Sequence, residues 1–88
     1  MRILRIDEVK LVTGHRSHVS IYNAIKAGLF TKPVPIGMRS VGWPEMEVVS
    51  LNAARIAGLT EGELRELVNR LHAKRAQLLE TLEGVSHD

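Results

Sequence analysis

Residues 13–28, with the sequence TGHRSHVSIYNAIKAG, constrain the fold more than any other stretch of this chain. Ser17 is a favourable N-cap, because its hydroxyl can accept a hydrogen bond from an unpaired amide in the first helical turn. Gly28 is a favourable residue just beyond a helix, since glycine adopts the left-handed conformation without steric penalty. The sequence therefore predicts a short helix over residues 17–27, around which the other elements must pack.

This predicted helix has two chemically different faces. Ile21, Ala24 and Ile25 form a narrow apolar stripe at helical spacing. The opposite face has side chains that can hydrogen-bond and has no carboxylate: His18, Ser20, Tyr22, Asn23 and Lys26. An ordinary solvated helix face mixes both charge signs, so the lack of acids favours contact with a polyanion over simple solvation.

The charge of the whole chain points the same way. The net charge is only +2, but no Asp or Glu occurs between Glu8 and Glu45. The basic residues of that interval are Lys10, Arg16, Lys26, Lys32 and Arg39. Residues 1–60 contain eight Lys/Arg and four Asp/Glu, whereas residues 61–88 contain four and six. This division predicts polyanion contact by the first part and protein contact by the second.

The chain before the central helix predicts a strand followed by another short helix. Alternating apolar residues in residues 1–6 are typical of a short edge strand. Asp7 is the predicted N-cap of a helix over residues 8–13, with Val9 and Val12 facing inward.

A glycine-containing turn joins the two predicted helices. Gly14 can end the first helix in the left-handed conformation, and residues 15–17 form the turn. This is the outline of a helix-turn-helix, whose second helix enters the DNA major groove. Many helical corners that bind nothing share the outline, so taken alone it is a weak indication.

Residues 32–44, KPVPIGMRSVGWP, predict a β-hairpin. Val34 and Ile36 alternate with prolines, and the turn falls at residues 37–39. Because proline cannot donate a ladder hydrogen bond, the first strand should be an edge strand. A hairpin after a helix-turn-helix is a wing, and Arg39 at its tip is expected to reach phosphate or the minor groove.

Pro44 is the expected first residue of a third helix, which should run to Ala57 and stop at Gly58. Its predicted apolar positions are Met46, Val49, Leu51, Ala53 and Ile56.

A capping box formed by Thr60 and Glu63 predicts the start of a long last helix. Its predicted stripe is Leu64, Leu67, Val68, Leu71, Leu78, Leu79 and Leu82. Lys74 and Arg75 interrupt the stripe and are expected to be a solvated patch, and residues 84–88 are expected to fray.

Several classes of protein are disfavoured by the composition. The chain has no cysteine, and His15 and His18 lack the further ligands that a structural metal site needs. No apolar run approaches the roughly 18 residues of a membrane span, and no secretory signal is evident. No nucleophile or phosphate loop accompanies the acidic pairs Asp7/Glu8 and Glu45/Glu47, which are better explained as helix-cap residues. We therefore expect a cytoplasmic protein that is not an enzyme and has no cofactor, metal, small-molecule ligand or membrane partner.

In combination, these motifs resemble the AlpA family of phage and genomic-island DNA-binding regulators, small winged helix-turn-helix proteins related to the MerR and excisionase groups. The resemblance covers about the first 50 residues. It rests on LRIDEV, TG, IYNAIKAGLF, KPVPIG and RSVGWPEMEV, which keep the order and spacing of the family. Here the turn between Gly14 and Tyr22 is one residue longer than usual, and Thr31 stands where the family often has proline.

The resemblance implies that the second helix and the wing contact DNA and that Trp43 packs under the hairpin. From the second helix it selects Ser20, Tyr22, Asn23 and Lys26, and from the wing Arg39. The full set of predicted DNA-binding residues is Arg16, Ser17, His18, Ser20, Tyr22, Asn23, Lys26, Lys32 and Arg39.

The expected fold is mainly α with a small β-hairpin: a winged helix-turn-helix domain over residues 1–58 and a C-terminal amphipathic helix over residues 59–88, used for packing or oligomerisation. The expected function is sequence-specific binding of double-stranded DNA, as a transcription regulator or excisionase-like factor of a prophage or mobile element, by a homo-oligomer joined through the last helix. The alternative is a protein-interaction module, antitoxin-like or adaptor, that acts through that helix. Single-stranded nucleic acid is disfavoured, because three aromatic residues offer few stacking platforms.

Overall fold

The computed structural model describes residues 1–86, which form four helices and three short strands. The elements in chain order are β1 (Ile3–Leu4), α1 (Ile6–Thr13), α2 (His18–Lys26), β2 (Val34–Pro35), β3 (Val41–Pro44), α3 (Glu45–Ala57) and α4 (Glu61–Ser86). This arrangement confirms the predicted class, a helix-turn-helix with a hairpin wing and a long C-terminal helix. Within these residues, no helix combines the length and apolarity needed to cross a bilayer.

The three strands form one small antiparallel sheet in the order β1-β3-β2. β2 and β3 are the predicted hairpin, in which Val34 pairs with Gly42 and the Ile36 amide donates to the Ser40 carbonyl at 2.9 Å. The proline-containing strand β2 lies at the sheet edge, as predicted. β1 is the other edge strand, shorter than expected because Ile6 already belongs to α1.

Gly42 allows the N-terminal strand to approach the wing. A Cβ atom at Gly42 would clash with Cγ2 of Ile3 and would lie 2.9 Å from the Leu4 carbonyl oxygen. Because the β1 backbone cannot move away without breaking its hydrogen bonds to β3, only glycine fits at residue 42. The wing is therefore fixed to β1 as well as to its own hairpin partner.

Two predictions about α1 are wrong. Its N-cap is Arg5 and not Asp7, because the helix begins at Ile6 and so places Glu8 where its carboxylate accepts from the Arg5 amide at 3.2 Å. Val9 is fully buried as expected, but Val12 is 45% exposed. The predicted end is confirmed, since Gly14 has φ of 79° and its amide donates to the Lys10 carbonyl.

Trp43 lies in the centre of the core, as expected for this residue. It is fully buried, and its indole Nε1–H donates to the Thr31 carbonyl at 2.8 Å. Phe30 and Tyr22 approach the Trp43 ring edge-on, with centroids 6.1 and 6.4 Å away. The other main core residues are Leu4, Val9, Ile21, Val48, Leu51, Val68 and Leu71.

Of the five predicted apolar positions of α3 only Leu51 is buried, although the helix ends before Gly58 as expected. The residues that face the core are Glu47, Val48, Leu51 and Ala54. The residues predicted there but found exposed are Met46, Val49, Ala53 and Ile56. The helix also begins one residue later than predicted, since Pro44 is its N-cap and not its first residue. Apart from Leu51, the predicted stripe is therefore out of phase with the side of α3 that faces the core. One of the core-facing positions is a carboxylate, which a stripe of apolar residues leaves out.

The side chain of Glu47 is only 7% exposed, and Arg75 of α4 pairs with it. The guanidinium donates to both carboxylate oxygens, at 2.8 and 2.6 Å, and also to the Lys32 carbonyl at 2.7 Å. The expectation that Arg75 belongs to a solvated patch is therefore wrong, while Lys74 is exposed as predicted. This ion pair joins α3, α4 and the segment before β2.

The first half of α4 packs on the domain and the second half does not. The capping box is confirmed, with the Thr60 amide 2.9 Å from the Glu63 carboxylate and the reciprocal bond at 3.2 Å. Leu64, Val68 and Leu71 are buried. The exposed part of the predicted stripe is Leu78, Leu79 and Leu82. The helical backbone continues to Ser86, and residues 87 and 88 of the predicted frayed end lie outside the described residues.

Candidate nucleic-acid interface

Ile21 anchors α2 in the core and so determines which face of the helix is exposed. Ile21 is fully buried, with Ala24 and Ile25 partly buried beside it. The Ser17 hydroxyl caps the helix by accepting from the Ser20 amide at 3.1 Å. The predicted DNA-binding residues of α2 that are exposed to solvent are His18, Tyr22, Asn23 and Lys26. The structure thus presents a mainly polar helix face next to the turn from α1, in which Val19, 67% exposed, is the apolar residue.

One carboxylate lies beside this face although none occurs in the sequence of α2. Asp7 of α1 places its oxygen 3.2 Å from Nε2 of His18, and both side chains are largely exposed. The expectation of an acid-free surface holds for the sequence interval but not for the folded surface at His18. The cause is the packing of α1 against α2, which no count within one helix can detect.

His15 and Ser20 contact each other behind the exposed face. Nδ1 of His15 lies 2.6 Å from the Ser20 hydroxyl, and the imidazole meets the Phe30 ring edge-on. Burial lowers the pKa of His15, and the nearby positive charge of Arg55 lowers it further. The imidazole is therefore neutral near pH 7 and positions the Ser20 hydroxyl. Ser20 is half-buried, so its backbone lies on the α2 face while its side chain turns toward the α1–α2 turn.

Arg16 lies in that turn and is exposed, and Arg55 of α3 lies close to it. Both line an open depression of about 390 Å³ with His15 and Ser20. Arg55 is not among the predicted contact residues, because it lies beyond the acid-free interval that ends at Glu45 and because the predicted face of α3 is out of phase. A basic residue one turn after Asn52 was the available signal, but it depends on knowing which side of α3 meets α1.

The wing presents its tip to solvent. Arg39 is exposed, and the neighbouring Met38 is 99% exposed. Two contacts fix the base of the tip. Nη2 of Arg5 lies 3.4 Å from the Ser40 hydroxyl, and the backbone hydrogen bond between Ile36 and Ser40 closes the hairpin. An arginine on a short, anchored hairpin can reach a phosphate without ordering a long loop.

Lys32 differs from the other predicted contacts, because its backbone is bound to α4. Its amide donates to Nε2 of His72 at 3.0 Å, and its carbonyl accepts from Arg75. Burial lowers the pKa of His72, with Arg75 adding to the effect, so the ring stays neutral and accepts this bond. The exposed ammonium of Lys32 extends from a segment fixed on the α4 side.

Within residues 1–86, no three His, Asp or Glu side chains are grouped so that they could hold a metal ion. Of the two candidates in the sequence, His15 contacts Ser20 and His18 contacts Asp7.

A short helix pair, an exposed second helix and a hairpin wing define a winged helix-turn-helix protein. A family model described as Prophage CP4-57 regulatory protein (AlpA) matches residues 2–56. The match covers more than half of the chain, and the chain belongs to the AlpA family of prophage regulators. The resemblance seen in the sequence is thereby confirmed, and the match ends before α4. No curated protein and no solved structure matches the chain.

Proposed function

We propose that this protein binds double-stranded DNA in a sequence-specific way and regulates genes of a prophage or related mobile element, as a transcription regulator or as an excision factor. The observation that carries the proposal is the exposed face of α2, on which Tyr22, Asn23 and Lys26 lie opposite the buried Ile21. Membership of a family of prophage regulators supports the same conclusion.

The mechanism needs binding and no chemical step. Lys26 and the arginines displace counterions from phosphates, which provides affinity for any duplex. Asn23 has an amide that can pair with adenine N6 and N7 in the major groove, which provides discrimination between sequences. Arg39 on the wing fixes the register of α2 by contacting the backbone or the minor groove.

The test is footprinting of the full chain on the DNA that flanks its own gene, followed by affinity measurements on the protected duplex. We expect a protected site of limited length, and binding that weakens steeply as salt rises. A scrambled duplex and the separated single strands are the controls. Equal affinity for the protected and scrambled duplexes would contradict sequence-specific binding. Tighter binding of a single strand would favour single-stranded nucleic acid as the ligand.

A second surface supports a role for the C-terminal helix in self-association. The distal half of α4 exposes Leu78, Leu79 and Leu82, and α4 has 26 residues, a length of about 39 Å. Next to this stripe lies an apolar groove of about 270 Å³ between α3 and α4, which Met1, Met46 and Leu78 help to line. Because the stripe and the groove are continuous at Leu78, we infer that a second copy occupies them, with each copy inserting its distal α4 beside the other.

Sedimentation equilibrium of the full chain tests the dimer. Leu78→Glu with Leu82→Glu should make the protein monomeric, whereas Gln77→Glu with Thr81→Glu, the same charges at the same spacing one residue earlier, should leave it associated. Leu71 is unsuitable for this test because it is buried in the core. A wild type that stays monomeric at high micromolar concentration and on DNA with two adjacent sites would contradict self-association. Association with another protein alone would favour the adaptor alternative.

A further inference from the structure

A basic depression lies beside the α1–α2 turn, near the first turn of α2. Its volume is about 390 Å³, and its lining residues are Thr13, Gly14, His15, Arg16, Ser20 and Arg55. Two arginines, two residues with hydroxyl side chains and a histidine are thus gathered around one opening, and no lining residue is acidic.

The position of Arg55 in this depression follows from the packing of α3 against α1. Nδ2 of Asn52 donates to the Val12 carbonyl at 2.7 Å and so ties α3 to the C-terminal turn of α1. Arg55 is three residues later on the same side of α3, which places it next to the residues that follow α1. Its charge reaches His15, where it adds to the effect of burial in lowering the pKa.

Neither arginine of the depression is paired with a carboxylate in the described part of the chain. Within residues 1–86, Arg16 and Arg55 have no carboxylate partner, whereas Arg2, Arg65 and Arg75 each pair with a glutamate. The first turn of α2 also faces this opening through Ser20, and the N-terminal end of a helix carries partial positive charge. Two open guanidinium groups, a hydroxyl and a positive helix end are suited to a single phosphate group.

We propose that this depression binds one backbone phosphate of the DNA, held between Arg16 and Arg55. The inference rests on the proposed function and adds α3 to the set of elements that contact DNA. Arginine suits this task because its planar fork can donate two parallel hydrogen bonds to a phosphate. His15 is a positioning residue, since its contact with the Ser20 hydroxyl at 2.6 Å directs that group into the opening. The bound phosphate then sets how deeply α2 enters the major groove.

The first experiment compares single variants of the full chain. Arg55→Gln and Arg16→Gln should each weaken binding about tenfold on both the footprinted duplex and a scrambled one. Each should also reduce the slope of log affinity against log salt by about one. Arg70→Gln, which removes an exposed arginine from α4, is the matched control and should change neither quantity. Thermal unfolding of the variants confirms that all of them fold.

The second experiment locates the phosphate. Single methylphosphonate linkages, which remove one backbone charge at a time, are introduced along the footprinted duplex. One position should weaken binding of the wild type and should have little further effect on Arg55→Gln, because the charge and its partner act as a pair.

The outcomes separate this inference from the proposed function. If the wild type binds the duplex and depends on Asn23, but Arg55→Gln keeps the full salt slope, the phosphate site is wrong and the function stands. If methylphosphonate effects are the same in the wild type and in Arg55→Gln at every position, the pairing is likewise refuted. If the wild type binds no duplex at all, both proposals fall.

Discussion

The two sides of this small protein treat charge in opposite ways. On the α2 side, the guanidinium groups of Arg16, Arg39 and Arg55 have no carboxylate partner among the described residues. On the α4 side, Arg75 is enclosed by Glu47 and the Lys32 carbonyl. An unpaired surface charge contributes little to folding and is open to a ligand, whereas losing one partner of a buried pair is strongly destabilising, so that the fold depends on the other partner. Arginines are thus tied into the fold on one side of the molecule and left open on the other.

The largest expected effect comes from the enclosed charge. Arg75→Ala should reduce the free energy of unfolding by about 3 kcal/mol, because it leaves the Glu47 carboxylate buried without a partner. Lys74→Ala, at the adjacent exposed position, should change it by less than about 0.5 kcal/mol. Urea denaturation measures both. Similar values for the two variants would show that Arg75 is as solvated as its neighbour.

On the binding side, Asn23 should produce the next largest effect. Asn23→Ala should reduce discrimination between the footprinted and scrambled duplexes by about 1–3 kcal/mol, because the bidentate contact to adenine is lost. The free energy of unfolding should not change, since the Asn23 side chain is exposed. Fluorescence anisotropy with both duplexes measures the ratio. If both affinities fall equally, Asn23 contacts the backbone and does not discriminate between bases.

The free energy of unfolding should also depend on pH, through His72 of α4 and His15 of the α1–α2 turn. The pKa of His72 is lowered by burial and by Arg75 and Lys32, against an opposing effect of Glu47, and the pKa of His15 is lowered too. Because the unfolded chain then binds protons more readily, the free energy of unfolding should fall as pH drops below about 6.5. The slope should be at most about 1.4 kcal/mol per pH unit for each histidine.

Urea denaturation at pH 7.5, 6.5 and 5.5 tests this dependence. His72→Gln should have a shallower slope than the wild type, since glutamine can accept the Lys32 hydrogen bond but does not titrate. An equal slope in the variant would assign the pH dependence to other groups. Glu63, whose pKa is lowered by its bonds to Thr60, acts only below its ordinary value of 4.5 and so outside this window.

Local patterns predicted the parts of the molecule that depend on neighbours in sequence. The caps at Ser17 and Thr60, the end of α1 at Gly14 and the hairpin around residues 37–39 are all as expected. Each rests on hydrogen bonds or backbone angles within a few residues, and such signals need no tertiary structure.

The misses at the buried ion pair and at the basic depression have a common origin in α3. A carboxylate in the first turn of α3 is explained locally by the positive end of the helix, whereas the partner that makes Glu47 tolerable at a core position lies 28 residues away. Because the predicted apolar face of α3 is out of phase, the sequence does not place Arg55 near Arg16. The sequence therefore predicts neither the buried Glu47–Arg75 pair nor the basic depression, since both depend on tertiary contacts that local spacing does not reveal.

A variant of Arg39 tests whether an arginine without a carboxylate partner contacts the DNA backbone. Arg39→Ala should weaken binding to all duplexes by a similar factor and lower the salt slope by about one, because it removes one phosphate contact from the wing. Salt titrations of both duplexes measure the slope. An unchanged slope would place the wing tip away from the DNA, and a loss confined to the footprinted duplex would make Arg39 a reader of sequence.

The smallest expected effect concerns Asp7, the one carboxylate beside the α2 face. Its side chain is 82% exposed and lies 3.2 Å from His18, so its charge faces the same solvent that a DNA backbone would occupy. Asp7→Asn should therefore tighten binding to all duplexes by about two- to threefold at low salt, and the gain should fade as salt rises. Glu66→Gln, the same charge change at an exposed position of α4, is the control and should have no such effect. If Asp7→Asn instead weakens binding, the carboxylate helps to position the His18 ring at the interface, and Asp7 then belongs to the binding side.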